Sequence, residues 1–191
     1  MRAMQRWPDV PDVYGWLRLD RRGHWLVRTG GAPGGADRFE RIGNAAFNDF
    51  IARNYQPDAR GRWYFQNGPQ RVFIGLDCAP WVFRLDDAER DWLAHTGAAA
   101  GAVQKLLFDE AGSVLLQTGL GIGCVLDRDL ATLLDSLRGK EGLPIDADVL
   151  LAKLRAGCAQ HVELHGTPLV AQSVTGSALA GRFGFDPEPG P

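Results

Sequence analysis

The sequence predicts an α+β fold of two small subdomains, built mostly from short antiparallel strands with a few packed helices. Three observations predict it. Aromatic and β-branched residues alternate over short stretches bounded by Gly, Pro, Asn and Asp, the pattern of half-buried strands. Three other stretches repeat apolar residues at three-and-four spacing behind an Asn or Asp, the pattern of capped helices. Between residues 86 and 102 the periodicity lapses and small residues accumulate, which divides the chain into an N-terminal subdomain, 1–92, and a C-terminal one, 93–191. A length of 191 residues suits one domain or two small ones.

The elements follow in order. Trp7-Pro8-Asp9-Val10-Pro11 is extended, since proline disfavours helix in the residue before it. Residues 14–19 and 24–28 alternate on either side of Asp20-Arg21-Arg22-Gly23 and read as a hairpin. Residues 29–36 form a Gly/Pro loop with no packing residue. Asn44 is placed to cap a helix that carries Ala46, Phe47, Phe50 and Ile51 on one face and stops near Asn54. Asn67-Gly68 joins strands 63–66 and 70–76, and Pro80 precedes a strand over 81–85. Residues 14–85 thus read as a curled antiparallel sheet on one helix. Trp16, Trp25, Trp63, Phe65, Val72, Ile74, Trp81 and Phe83 should fill its core.

Beyond the break, strands 103–108 and 113–118 flank the turn Asp109-Glu110-Ala111-Gly112. A glycine run, 119–123, leads into 124–126. Asp127 is expected to cap a helix over 128–137 with Leu130, Leu133, Leu134 and Leu137 inward. A second helix, about 146–156, places Val149, Leu150 and Leu154 similarly. Residues 162–164 and 168–171 pair around His165-Gly166. From about 186 the chain is nearly all Pro, Gly and acid, a composition that predicts a disordered tail.

Charge and composition exclude several classes. A net charge of −2 gives no general attraction to nucleic acid or anionic lipid. Arginines do interleave with aromatics in Arg21-Arg22-Gly23-His24-Trp25 and Arg60-Gly61-Arg62-Trp63-Tyr64-Phe65, the raw material of base stacking. Tryptophans on short strands mostly fill cores beneath arginine stems, however, so nucleic acid is not an expected partner. Cys78, Cys124 and Cys158 are an odd, widely spaced set, which argues against a disulfide framework and predicts three small buried hydrophobes. The N-terminus has no apolar signal-peptide core, and no apolar run is long enough to span a bilayer. The expected compartment is the cytoplasm, with no membrane partner.

Two motifs carry candidate chemistry. Gly119-Leu120-Gly121-Ile122-Gly123 follows a predicted strand but lacks the G-x-G-x-x-G spacing of a pyrophosphate loop, so a tight bend within a sheet is the expected structure. In His161-Val162-Glu163-Leu164-His165 three metal-capable side chains alternate. On a strand all three point to one side, which makes His161, Glu163 and His165 the candidate ligands of a divalent metal. Such a set needs at least one further ligand from elsewhere. No serine lies in a G-x-S-x-G context, and Cys78 sits in no recognised protease signature.

A resemblance adds to this reading. Tyr14-Gly15-Trp16-Leu17, Ile42-Gly43-Asn44, Phe50-Ile51-Ala52-Arg53-Asn54-Tyr55, residues 61–72, Ala79-Pro80-Trp81-Val82, His95-Thr96-Gly97 and Thr118-Gly119-Leu120-Gly121 resemble an uncharacterised proteobacterial family, a domain of unknown function. The likeness covers roughly residues 12–130. It extends to a second unknown-function family, which implies a β-roll joined to a small α/β-roll and no activity. Relatives carry a histidine after the Gly-x-Gly-x-Val run, where this chain has Leu126. The function expected is a non-catalytic binding or interaction protein of the bacterial cytoplasm, with homo-oligomerisation as one open partner class. The alternative is a metal- or small-ligand-dependent enzyme with its pocket between the subdomains.

Overall fold

The computed structural model describes residues 10–30, 37–86, 91–139 and 142–191. It divides into two compact units, Met1–Pro80 with Phe183–Pro191, and Trp81–Arg182. The boundary thus falls at Pro80 and not near 92. Part of the segment expected to be a connection belongs to the second sheet: a strand forms at Asp91–Ala94 and buries Trp92 and Ala94, while residues 87–90 lie outside the described residues.

The first unit holds β1 (Val13–Leu19), β2 (Trp25–Gly30), β3 (Arg38–Arg41), α1 (Ala45–Arg53), β4 (Tyr55–Pro57), β5 (Trp63–Asn67) and β6 (Gln70–Leu76). Their sheet order is β3-β2-β1-β6-β5-β4. Local chemistry sets most of these elements. Asp20 Oδ1 accepts from the Arg22 and His24 amides and closes the first hairpin. Asn44 caps α1 by accepting from the Phe47 amide at 3.1 Å. Gly68 supplies the positive φ that its two-residue turn requires. The sheet is not wholly antiparallel, because β1 and β6 pair in parallel at its centre.

On the α1 side, Leu17, Trp25, Ile51, Tyr55, Phe65, Val72 and Ile74 are buried. Phe65 meets both Phe47 and Phe50 edge-on, and the Tyr55 hydroxyl donates to the Pro80 carbonyl at 2.9 Å. Trp63 is half-buried, and Trp16 is 55% exposed. β1 carries a bulge beside Trp16. Val13 faces Val72 while Leu17 faces Ile74, so four residues of β1 advance against two of β6, with Gly15 at φ 71°. Leu17 and Leu19 are the buried positions of β1, so the alternation itself turns Trp16 away from the α1 side.

The other sheet face carries arginines and aromatics. Phe73 is fully buried there, stacked on Tyr14 at 4.6 Å with the Arg62 guanidinium 4.5 Å from its ring. The C-terminal tail is ordered, against the expectation. Leu76 N–H donates to the Pro187 carbonyl at 2.8 Å, Arg18 pairs with Glu188 at 2.6 Å, and Arg62 Nη1 donates to the Gly190 carbonyl at 3.0 Å. Gly61, at φ 76°, passes so close to the Gly184 carbonyl that a Cβ would collide with it. Extended proline-rich chain suits this lining role, and Glu188 finds an arginine far away in sequence.

The second unit holds β7 (Trp81–Asp86), β8 (Asp91–Ala94), β9 (Val103–Phe108), β10 (Val114–Thr118), β11 (Ile122–Val125), α2 (Leu130–Ser136), β12 (Leu137–Arg138), α3 (Ala147–Arg155), β13 (Gln160–Leu164) and β14 (Thr167–Ser173). A last helix, α4 (Gly176–Phe183), follows. The eight strands run β12-β13-β14-β9-β10-β11-β7-β8, with β7/β11 and β9/β14 parallel. Asp127 opens a 3-10 turn and makes no side-chain cap; Asp129 instead accepts from the Leu85 amide at 3.0 Å. Leu137 leaves the helix to pair with Leu164. Asp146 does cap α3, accepting from the Asp148 and Val149 amides. Among the described residues no helix is long and apolar enough to cross a membrane.

Candidate functional site

Within the second unit, α2, α3 and the ends of three strands surround a hollow of about 440 Å³. Phe108 and Val114 line it from β9 and β10, Leu130 and Leu134 from α2, Leu151 and Leu154 from α3, and Val174 from the end of β14. Leu133 and Leu154 are buried, as inward helix positions should be. Leu130, Leu134 and Leu151 are only half-buried, and each borders the hollow. Three leucines on two helices therefore stand against open space that the fold leaves unfilled.

The remaining lining is polar: Asp109, Glu110, Arg155, Ser173 and Thr175. Asp109 Oδ1 accepts from the Ser113 amide at 2.6 Å and closes the β9–β10 turn. Both oxygens of Glu110 accept from the Gly176 amide, at 3.1 and 2.8 Å. Glu110's own amide, and then that of Gly176, hold its carboxyl below the usual carboxylate range. Both acids are thus engaged with backbone and fix the loop. Arg155 is exposed and makes no ion pair among the described residues.

The candidate metal ligands are placed differently from expectation. β13 is a strand, as the alternation requires, with Val162 and Leu164 buried and His161 and Glu163 on its other face. His165 breaks the set. It adopts φ 48° beside Gly166 at φ 80°, the left-handed pair that a two-residue hairpin turn demands. That turn takes His165 out of the period of two. His161 lines a hollow beside α3, whereas Glu163 and His165 line another with Thr132, Asp135 and Arg138. Among the described residues no group of three His, Cys, Asp or Glu side chains is placed to hold a metal ion. The divalent site expected from His161, Glu163 and His165 is therefore not assembled.

The glycine run is the turn and strand start between β10 and β11. The Thr118 hydroxyl donates to the Gly121 carbonyl and accepts from the Leu120 amide, while Trp81 Nε1 donates to the Leu120 carbonyl at 3.1 Å. Gly123 lies flat against the Phe83 ring, leaving no room for a Cβ. Nearby, His95 Nδ1 accepts from the Val82 amide at 3.3 Å. His95 retains some exposed surface, but its Nε2 is shut off from solvent, and burial lowers its pKa to about 3. It is neutral at physiological pH. Of the cysteines, only Cys124 is the buried hydrophobe expected; Cys78 is half-buried and Cys158 exposed. In the arginine–aromatic stretches, Trp25 and Phe65 are core residues, and Arg62 pairs with Asp58 at 2.8 Å.

The chain belongs to the family DUF2944, described as a protein of unknown function (DUF2946), whose model matches residues 1–190. The match reaches well beyond the span over which individual residues carried the resemblance. The chain is also similar to the crystal structure of a DUF1285 family protein from Silicibacter pomeroyi DSS-3. That likeness has 16% identity, covers 70% of this chain and 75% of that one, and has a TM-score of 0.49. No curated protein matches.

Proposed function

We infer that this chain is a non-catalytic binding protein of the bacterial cytoplasm, and that the hollow beside α2 and α3 takes a small, mainly apolar ligand with one polar end. The observation that carries the reading is the set of half-buried leucines, Leu130, Leu134 and Leu151, converging on about 440 Å³ of space. Sites for small molecules are concave, mostly apolar and of this size, with few polar groups. Each methylene of a guest moved from water into such a hollow contributes roughly 0.8 kcal/mol. Asp109 and Glu110 are already engaged in fixing the loop, which supports uptake over turnover.

Displacement of Nile red by 1-decanol tests this. The wild-type chain should bind the dye and release it to decanol. Leu134→Asp and Leu151→Asp should each weaken both by about tenfold or more, roughly 1.4 kcal/mol, with melting still cooperative. Equal dye binding by wild type and both variants would refute the reading.

A further inference from the structure

We propose that the groove filled by residues 186–190 is a recognition seat for an extended, acidic, proline-rich segment of a partner protein, and that the chain's own tail holds it as a displaceable stand-in. The tail shows what the seat takes. Asp186-Pro187-Glu188-Pro189-Gly190 lies within the first unit and is gripped largely through its main chain. The Asp186 amide donates to the Gly61 carbonyl at 3.0 Å, and the Pro187 carbonyl accepts from the Leu76 amide at 2.8 Å. The Gly190 carbonyl accepts from Arg62 Nη1 at 3.0 Å. Extended peptides are recognised by such main-chain bonds whatever chain they come from. Pro187 and Pro189 have fixed φ, so a segment of this composition loses little freedom on docking.

One side chain of the tail is read directly. Arg18 Nη2 donates to Glu188 Oε1 at 2.6 Å, while Arg18 Nη1 donates to Asp77 Oδ1 at 2.7 Å. Asp77 takes one arm of the guanidinium, and the other arm is aimed at the occupant's carboxylate. A cation in place of Glu188 would meet that arm head-on.

The seat itself is built by groups other than its occupant. Asp77 and the Phe39 ring, 5.4 Å from the guanidinium, position Arg18. Arg62 is held by Asp58 at 2.8 Å, by the Tyr14 hydroxyl at 3.2 Å and by the face of Phe73. Leu76 is fixed by its pairing with Leu19 across β6 and β1. The donors therefore stay in place when the tail leaves, and a site that is already formed costs little to refill. Glu188 is 65% exposed, so the ion pair that fastens the tail is a weak, salt-screened one. A preformed seat under a loosely fastened occupant is what exchange with a partner's segment requires.

The test titrates the isotope-labelled full chain with the capped peptide Asp-Pro-Glu-Pro-Gly and reads the Leu76 amide. In the wild-type chain the tethered tail competes at an effective concentration of about millimolar, so the peptide should bind weakly. Glu188→Lys sets a cation against Arg18 and loosens the tail. That variant should bind the peptide at least about tenfold tighter than wild type, and the Lys-for-Glu peptide at least about tenfold more weakly than the acidic one. Adding Arg18→Ala should remove the gain. If Glu188→Lys fails to fold, Glu188→Gln makes the same comparison. Equal binding by wild type and the Glu188 variant, equal binding of the two peptides, or a gain that survives Arg18→Ala would each overturn the proposal. So would a concentration-dependent dimer in sedimentation that Glu188→Lys dissolves, because a second copy's tail would then be the occupant.

Discussion

The two units treat a sheet face in opposite ways. In the first, the face away from α1 is closed: Phe73 has no exposed surface, lying against Tyr14 and under Arg62, whose guanidinium also reaches the tail at Gly190. In the second, α2 and α3 keep Leu130, Leu134 and Leu151 half-buried around a hollow. The closed face is completed by groups from distant sequence, Arg18 and Glu188 being 170 residues apart. The open one is made by two short helices, one of them capped locally by Asp146, that do not fill their own groove. Charged and aromatic side chains are spent on closure in one unit, while apolar surface stays available in the other. Apolar surface left facing space is the more informative sign of binding.

Perturbing the closed face should have the largest effect. Phe73→Ala removes a fully buried ring and should cost about 3–5 kcal/mol in urea unfolding; a loss under 1 kcal/mol would mean that the face is not packed as described. Arg62→Ala leaves Asp58, whose side chain is only 11% exposed, with backbone amides on Oδ1 and no cation on Oδ2, and should cost about 2 kcal/mol. The check is the same unfolding curve, with the double variant Arg62→Ala/Asp58→Ala expected to recover part of the loss.

In the second unit, His95 gives a milder, pH-dependent effect. Its folded pKa lies near 3 against an ordinary 6.5, so on acidification the unfolded chain takes up the proton first. Stability should therefore fall as pH drops below about 6.5, continuing toward the folded value. His95→Asn, which keeps an acceptor for the Val82 amide, should flatten that slope in melts between about pH 7 and pH 5; an unchanged slope would assign the acid sensitivity elsewhere. The smallest effect belongs to Trp16→Ala. Because Trp16 is exposed, the change should stay within about 0.5 kcal/mol, whereas Trp25→Ala, at a core position of the same sheet, should cost several.

What could be read in advance was chemistry that acts over a few residues. Asn44 caps the helix expected of it, a helix begins beside Asp146 as the spacing predicts, and His165-Gly166 turns its hairpin, while the Asn67-Gly68 signal marks a hairpin whose two turn residues are Gly68 and Pro69. Features set by distant partners were not legible. The parallel β1–β6 pairing forms only after the chain has passed through α1, β4 and β5. The tail reads as disordered until Arg18 and Arg62 are placed beside it, and α4 is hidden by the glycines at 176 and 181. Residues 31–36, most of the Gly/Pro loop expected at 29–36, lie outside the described residues. At the candidate site, the spacing of Leu130, Leu133 and Leu134 showed a helix face. It did not show which of these leucines would be left against a hollow, because that depends on where α3 comes to rest. The alternation of His161, Glu163 and His165 was equally legible, but the left-handed turn that diverts His165 was not.

Hydrogen exchange with and without 1-decanol tests the central claim most directly, because it reads both units of the full chain at once. Decanol should slow exchange in Leu130–Ser136 and Ala147–Arg155, the helices that line the hollow, and leave the β1–β6 pairing of the first unit unchanged. Protection that is absent from those two helices, or spread evenly over both units, would contradict the account.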